Sequence, residues 1–352
     1  MTSITLAPVN IVHIAYTTLA VFSIFLVWGR KQCFGLVMLL AAHVLQEVFN
    51  PLEELDITRQ YHLVTPAIQL AFGPLYFIFA KNLIDGDLNI RRHLIHLLPA
   101  VIALAFTAWW PVELMIAFVI FAVYCFYIFK VLRRYHLVLG NTTSDTEQHS
   151  LSWLIRTMTV ILAIETVDFI RLNLQLRLGD DILSPWYLVS ALISFSCTGY
   201  LVLKAVRQPD AYASVAAALK ALADGDSVQK KTDLDLARKL FSGIDRHVRE
   251  TLSYRRQKYS LRHLADETGF TEQDVSWAIN HGGDQSFSDF VNDLRIAEIE
   301  KALSTNMNGQ SILEVAFNAG FNSKSSFNAL FKRRTGLTPS QYVQQKAQPG
   351  GA

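Results

Sequence analysis

The sequence predicts an all-α chain made of two unlike parts: an N-terminal seven-helix transmembrane bundle, then a cytoplasmic pair of helix-turn-helix units. Three observations lead there. The 352 residues are 51% hydrophobic and only 18% charged, with mean hydropathy +0.25, and the apolar surplus lies before residue 205. Seven stretches in that half approach the roughly 20 apolar residues a helix needs to cross a bilayer. The last hundred residues carry helix-start and turn signals at a spacing that occurs twice. A chain of this length accommodates two domains.

The apolar stretches run at 8–28, 33–50, 62–84, 94–110, 112–132, 151–173 and 185–204. The fourth and fifth are separated only by Trp110-Pro111, and Trp109 and Trp110 stand where interfacial aromatics are expected. Loop charge alternates. Arg30 and Lys31, then Lys81, Arg91 and Arg92, then Lys130, Arg133 and Arg134, then Lys204 and Arg207 occupy one set of loops. Glu53, Glu54, Asp56, Asp180 and Asp181 occupy the other. Because basic loops stay inside, the N-terminus is expected outside and the C-terminus in the cytoplasm. The first stretch has no basic leader and runs into a second, so no cleavable signal peptide is expected.

Ionisable groups within such stretches are costly and mark candidate sites. His43 and Glu47 lie four apart on one face of the second, the shortest stretch. Glu165, Asp168 and Arg171 follow a three-residue step in the sixth. Gln69 sits in the third, beside Pro66, Gly73 and Pro74, which can bend a helix and open space. In the topology above these groups share one depth, towards the outside. They form either a polar pocket that receives a signal or a network that pairs internally and holds the bundle together. Cys33, Cys125 and Cys197 have neither metal nor disulfide spacing, and the latter two read as small core residues.

Residues 205–253 read as a helical linker. It opens on Gln208-Pro209, is Ala-rich over Ala213–Leu222, passes Gly225 and becomes helical again from Thr232. Leu234, Ala237, Phe241, Ile244, Val248 and Thr251 keep a 3-4 spacing. They suit either a short coiled-coil seam, which would make a homodimer, or packing onto the unit that follows.

The segment 254–345 holds the two helix-turn-helix units, and 346–352 reads as a disordered tail. In the second unit, Ser311 and Glu314 have capping-box spacing, and Ile312, Val315 and Ala316 supply an apolar face. Gly320 suits the chain's exit from a helix, and Ser323 can cap the next. Phe327, Leu330 and Phe331 are its inner stripe, leaving Lys324, Ser325, Asn328, Lys332 and Arg333 outside. Thr338-Pro339 opens a last helix. Upstream, Leu264–Phe270 matches Val315–Phe321 in spacing, Thr271 opens a second helix, and Ser286–Leu303 reads as a rigid connector. Two such units can place two helices in successive major-groove segments of double-stranded DNA. Candidate contacts are Gln273, Ser276 and Trp277 in the first unit, and Ser323, Lys324, Ser325, Asn328, Lys332 and Arg333 in the second. Between 251 and 352 there are 11 Lys/Arg and 10 Asp/Glu, so the basic character is local, at Lys324, Lys332, Arg333 and Arg334.

This C-terminal quarter resembles the DNA-binding domain of the AraC/XylS family of bacterial transcription regulators. The second unit carries most of the likeness: Ala316, Gly320, Phe321, Ser323, Ser325, Phe327, Phe331, Lys332, Gly336, Thr338, Pro339 and Tyr342. The first adds Leu261, Leu264, Ala265, Ser276, Asn280, Phe287, Phe290, Val291, Asn292 and Arg295. The position after Ser276, often arginine in the family, is Trp277, so the second unit is expected to carry more of the sequence reading. The resemblance implies RNA polymerase as a partner and a bacterial inner membrane as the location.

The expected function is a membrane-embedded one-component transcription regulator, taking a small-molecule or membrane-protein signal and anchored by the lipid bilayer. An anchored regulator whose partner senses is the competing reading. A transporter or membrane enzyme finds less support, because only the third stretch is broken by Pro and Gly and no paired-His or nucleophile motif occurs. No cofactor, metal or enzymatic activity is expected.

Overall fold

A proline and a handful of polar side chains decide where the apolar half departs from seven uniform helices. The computed structural model describes residues 8–86, 90–146, 150–174, 177, 179–207, 234–304 and 309–347. All named elements among them are helical. The chain divides into two units: residues 1–135 with 151–216, and residues 136–150 with 217–352.

The first unit contains α1 (Pro8–Val27), α2 (Phe34–Glu54), α3 (Thr65–Asp85), a short α4 (Leu98–Ala103), most of α5 (Trp110–Thr142), α6 (Ser152–Leu174) and α7 (Asp180–Arg207). α1 packs on α2 and α7, and α2 on α3. Tyr16, Leu36, Leu39, Leu40, Ile78 and Phe79 fill the interior. Ile11, Phe22 and Phe25 on α1, Phe126 on α5 and Leu203 on α7 point outward, with Phe25 74% exposed. Large apolar side chains in such numbers on an outer surface match lipid rather than water. Close helix approach rests on small residues, as in membrane bundles. A Cβ on Gly35 would stand 2.8 Å from the Phe79 Cα, and one on Gly73 3.0 Å from the Phe121 Cα.

Among the described residues, five helices are long and apolar enough to cross a membrane: Pro8–Val27, Lys31–Glu54, Thr65–Asp85, Thr107–Thr142 and Asp181–Arg207. α6 has 23 residues, enough in length, but carries Arg156, Glu165, Asp168 and Arg171. The fourth expected span is not one helix. Leu94–Ala103 is ten residues, about 15 Å at 1.5 Å per residue, or half a bilayer core. Pro99 has no N–H to return to the preceding turn, so the helix restarts at Leu98. The stretch still lies antiparallel along α3. His93 and His96 stand 6.3 and 5.9 Å from the Phe77 ring, and His62 Nε2 donates to the Leu104 carbonyl at 2.9 Å. The fifth stretch begins at Trp110 and continues past 132 to Thr142.

Two helix starts are satisfied by side chains, which supply acceptors for otherwise orphaned N–H groups. Asn82 Oδ1 accepts the Gly35 N–H at 2.8 Å. Glu53, expected as an exposed loop charge, is 7% exposed and accepts the N–H groups of Val64 and Thr65 at 2.6 and 3.0 Å. It caps α3 instead of facing solvent.

The second unit contains α8 (Leu234–Thr251), α9 (Leu261–Thr268), α10 (Glu272–Trp277) continued as a π turn over Ala278–Gly282, α11 (Phe287–Ser304), α12 (Ile312–Asn318), α13 (Lys324–Thr335) and α14 (Pro339–Ala347). It has two apolar cores. One gathers Ile244, Val248, Leu264, Val275, Ile279, Phe287 and Phe290, the other Ile299, Leu303, Val315, Phe321, Phe327 and Phe331. α11 contributes to both and is the spine between the helix-turn-helix units.

α8 decides between the two readings of the 3-4 pattern. Ala237, Ile244 and Val248 are buried, and Phe241 meets Phe290 edge-on at 5.5 Å between centroids. The apolar stripe faces the first core and is not a free dimer seam. The expected linker features at 208–233 lie outside the described residues. Of the expected tail, 346 and 347 end α14, and 348–352 lie outside the described residues.

Candidate functional site

The nucleic-acid face is built from caps and aromatic packing. Ser311 and Glu314 form the full capping box at the start of α12. The Glu314 carboxylate accepts the Ser311 N–H at 2.6 Å, which holds its carboxyl below the usual range. The turn to α13 needs Gly320. Its φ is +100°, and a Cβ there would sit 2.6 Å from the Arg255 carbonyl oxygen. Ser323 then caps α13, accepting the Ser326 N–H at 3.0 Å. Phe327 packs between Phe321 and Phe331 with centroids 5.5 and 5.6 Å away, and Tyr342 closes on Phe331.

That inner stripe sets what faces out. Lys324, Ser325, Lys332 and Arg333 are exposed, and Asn328 is half-buried beside them. Arg334, part of the basic cluster in the sequence, is turned away: it pairs with Asp289 at 2.6 Å and Asp293 at 2.8 Å on α11. Ser323 is already committed to its cap, so any phosphate contact from it competes with that bond.

In the first helix-turn-helix unit, Thr271 caps α10 through the Asp274 N–H at 3.1 Å. Gln273 is exposed, and Ser276 accepts from Asn280 at 3.1 Å. Trp277 is half-buried, its ring 6.0 Å from His281 and tilted by 33°. The π turn that follows brings Gly282 tight against the Ala237 carbonyl of α8. This helix therefore has a different outer outline from α13, which continues as regular α-helix to Gly336.

The two units are fastened by Arg295, whose role is not visible in helical spacing. It is 3% exposed on α11. Its Nε donates to the Tyr254 carbonyl at 2.7 Å, Nη2 to the Arg256 carbonyl at 2.9 Å, and Nη1 to Asn292 Oδ1 at 3.3 Å. Burial lowers its pKa to about 10, so it stays protonated at neutral pH. Its guanidinium also lies 5.7 Å over the Phe321 ring. Its place among the residues that carry the family resemblance marked it in the sequence, but nothing there named its partners.

In the first unit of the chain, the six polar residues singled out in the sequence surround two adjoining cavities of about 410 and 510 Å³. Gln69, Glu165 and Asp168 line both, Arg171 the first, and His43 and Glu47 the second. Among the described residues their bonds fall into separate groups, one of them an internal pair of the expected kind. Arg171 binds Asp168 through two nitrogens at 2.7 and 3.2 Å and donates to the Tyr187 hydroxyl at 3.0 Å. Gln69 donates to Glu165 at 3.1 Å. His43 meets the Tyr16 hydroxyl at 3.0 Å, and Glu47 pairs with His13. His13, Tyr16 and Arg59 also line the second cavity. Nothing local to His13 and Tyr16 marks them in the sequence, because their partners Glu47, His43 and Thr198 lie on other helices. Carboxylates, imidazoles and guanidinium groups on one wall can hold a small polar molecule by charge-assisted bonds. Among the described residues, no group of three His, Cys, Asp or Glu is placed to hold a metal.

No curated protein and no solved structure matches the chain. Residues 264–345 match a family model described as "Helix-turn-helix domain", of the AraC type. That segment is a DNA-binding helix-turn-helix domain and gives the chain the DNA-binding part of a transcription regulator.

Proposed function

We propose that the chain is a membrane-embedded one-component transcription regulator of a bacterial inner membrane, and not an enzyme. The carrying observation is that one polypeptide holds both an AraC-type helix-turn-helix segment and an apolar bundle whose ionisable groups surround a cavity. Only about fifty residues separate the two, too few for a kinase or receiver domain. In this reading the chain crosses seven times with the N-terminus outside, the fourth crossing being the broken run beside α3. The alternation of basic and acidic loops supports that orientation. A polar ligand entering the cavity from the outer side shifts the bundle between two arrangements, which changes how the C-terminal domain meets DNA.

On DNA, α13 reads bases through Lys324, Ser325 and Asn328 while Lys332 and Arg333 meet phosphate. α10 contributes through Gln273, Ser276 and Trp277. One chain carries both reading helices, so a monomer suffices. RNA polymerase is the partner that the AraC-type likeness supports.

The test is transcription from the target genes under conditions that change their output, in cells carrying His43→Ala or Asp168→Asn. Both variants are expected to insert and to occupy the same DNA sites, yet to give constant output. Normal responses from both would remove the sensing role of the cavity and leave a regulator that is merely anchored.

A further inference from the structure

The segment between α5 and α6 belongs, by its packing, to the DNA-binding unit. The last residues of α5 and those that follow it, 136–150, group with 217–352 and not with the rest of α5 or with α6. The attachment is polar and specific. Thr143 and Ser260 form an antiparallel bridge. Ser144 donates from its N–H at 3.1 Å and from its hydroxyl at 2.9 Å to the Tyr259 carbonyl. Asn292 Nδ2 donates to the Ser144 carbonyl at 3.1 Å. Asn322 Nδ2 donates to Asp145 Oδ2 at 2.7 Å. Ser144 and Asp145 are each 5% exposed.

These bonds touch three separate parts of the domain. Tyr259 and Ser260 lead into α9, Asn292 lies on the spine α11, and Asn322 immediately precedes the cap of α13. The segment therefore pins the two helix-turn-helix units in one mutual arrangement. It also puts the Asp145 carboxylate against Asn322, one residue before the Ser323 cap of α13. Alongside, His136 and Gly140 face Ala329 and Arg333 of α13 across a cavity of about 480 Å³. Ala329 and Arg333 adjoin the outward row of Lys324, Asn328 and Lys332. In the regulator reading above, a duplex approaching that row would meet the segment at its flank.

We propose that the surface formed by Tyr259, Ser260, Asn292 and Asn322 is a docking site for the chain's own 143–146 segment, and that the docked state is the low-affinity state for DNA. Because the segment is covalently continuous with α5 and α6, a rearrangement of those helices withdraws it and frees the domain. This rests on the regulator reading above but adds a second connection besides the 208–233 stretch.

A disulfide tests it. Residues facing each other across an antiparallel bridge have Cα atoms about 4.5–5.5 Å apart, within disulfide range. Full-length chain carrying Thr143→Cys with Ser260→Cys is reconstituted in lipid nanodiscs, oxidised, and titrated with a duplex containing a site recovered from wild-type cells. Wild-type chain treated alike controls for Cys33, Cys125 and Cys197. The expected result is a cross-link that weakens binding by on the order of tenfold or more, with affinity restored by reductant. Failure to cross-link would show that the segment does not dock. A cross-linked chain that binds as well as the reduced one, or better, would overturn the inhibitory role. A reduced chain that binds no duplex while wild type does would point to damage from losing the Ser260 side chain, which caps α9. The decision then falls to Asp145→Ala, expected to bind several-fold tighter than wild type; equal or weaker binding sinks the proposal. Wild-type chain that binds no duplex would remove the regulator reading and this proposal together.

Discussion

Replacing Arg295 by methionine isolates the tie between the two helix-turn-helix units. Methionine keeps most of the buried stem but donates nothing. The Tyr254 and Arg256 carbonyls lose their guanidinium donor, and the Asn292 amide loses one partner. A buried acceptor left unpaired costs about 1–3 kcal/mol, a cost that falls in full on the Tyr254 carbonyl and only in part on that of the exposed Arg256. Part of this is offset, because the guanidinium, whose pKa burial lowers to about 10, no longer has to be desolvated. A net loss of about 1–3 kcal/mol follows, a sizeable share of the 5–15 kcal/mol typical of a domain. Amide hydrogen exchange on the purified full chain reads it locally, without requiring the whole protein to unfold in one step. The slowest amides of α9, α11 and α13 should all lose protection by that amount, while those of α1 to α3 keep theirs. Arg295→Lys should recover only part, since one ammonium replaces a fork that reaches two carbonyls. A loss under about 0.5 kcal/mol, within the ordinary range for surface substitutions, would refute the role assigned to this residue.

Other expectations follow from single contacts. Lys324→Ala and Asn328→Ala should each weaken specific DNA binding by about 1–3 kcal/mol, and Trp277→Ala by less; equilibrium titration with a bound site decides, and the reverse order would overturn the emphasis on the second unit. The Glu314 carboxyl is depressed below its ordinary value of 4.5 by the Ser311 N–H, so its cap is complete above that pH and is lost as pH falls through the depressed value. Exchange of the α12 amides, corrected for intrinsic rate, should rise on that descent in wild type and stay flat in Glu314→Gln, which keeps an acceptor that does not titrate. Arg334→Ala, breaking two partly exposed pairs, should cost about 1 kcal/mol or less in the same exchange experiment and leave DNA affinity nearly unchanged.

The DNA-binding half was legible because its signals are local. Capping pairs, a glycine at a tight turn and an aromatic stripe are written within a few consecutive residues, as Ser311 with Glu314 and Phe327 with Phe331 illustrate. Arg295 was not legible as a tie, because its partners Tyr254 and Arg256 lie some forty residues away and offer only main-chain oxygens. In the apolar half, hydropathy found where the segments lie but not their regularity. Pro99 turned one expected helix into successive turns, and Glu53 became a cap once α3 began beside it. The cavity residues were found as costly charges. Their separate pairings needed α1, which supplies His13 and Tyr16. The docking of Ser144 and Asp145 depends on Tyr259, Asn292 and Asn322, more than a hundred residues on, and no periodicity encodes it.

The central claim is that a chain embedded in the membrane binds specific DNA through α13. Cross-linking intact cells, isolating the membrane fraction, recovering the chain and sequencing the attached DNA tests it most directly. The account expects wild-type chain in that fraction with recurrent short DNA sequences, and the same fraction with those sequences depleted for Lys324→Ala with Asn328→Ala. Wild-type chain found only in the soluble fraction, or membrane-bound chain carrying no recurrent sequence, would contradict it.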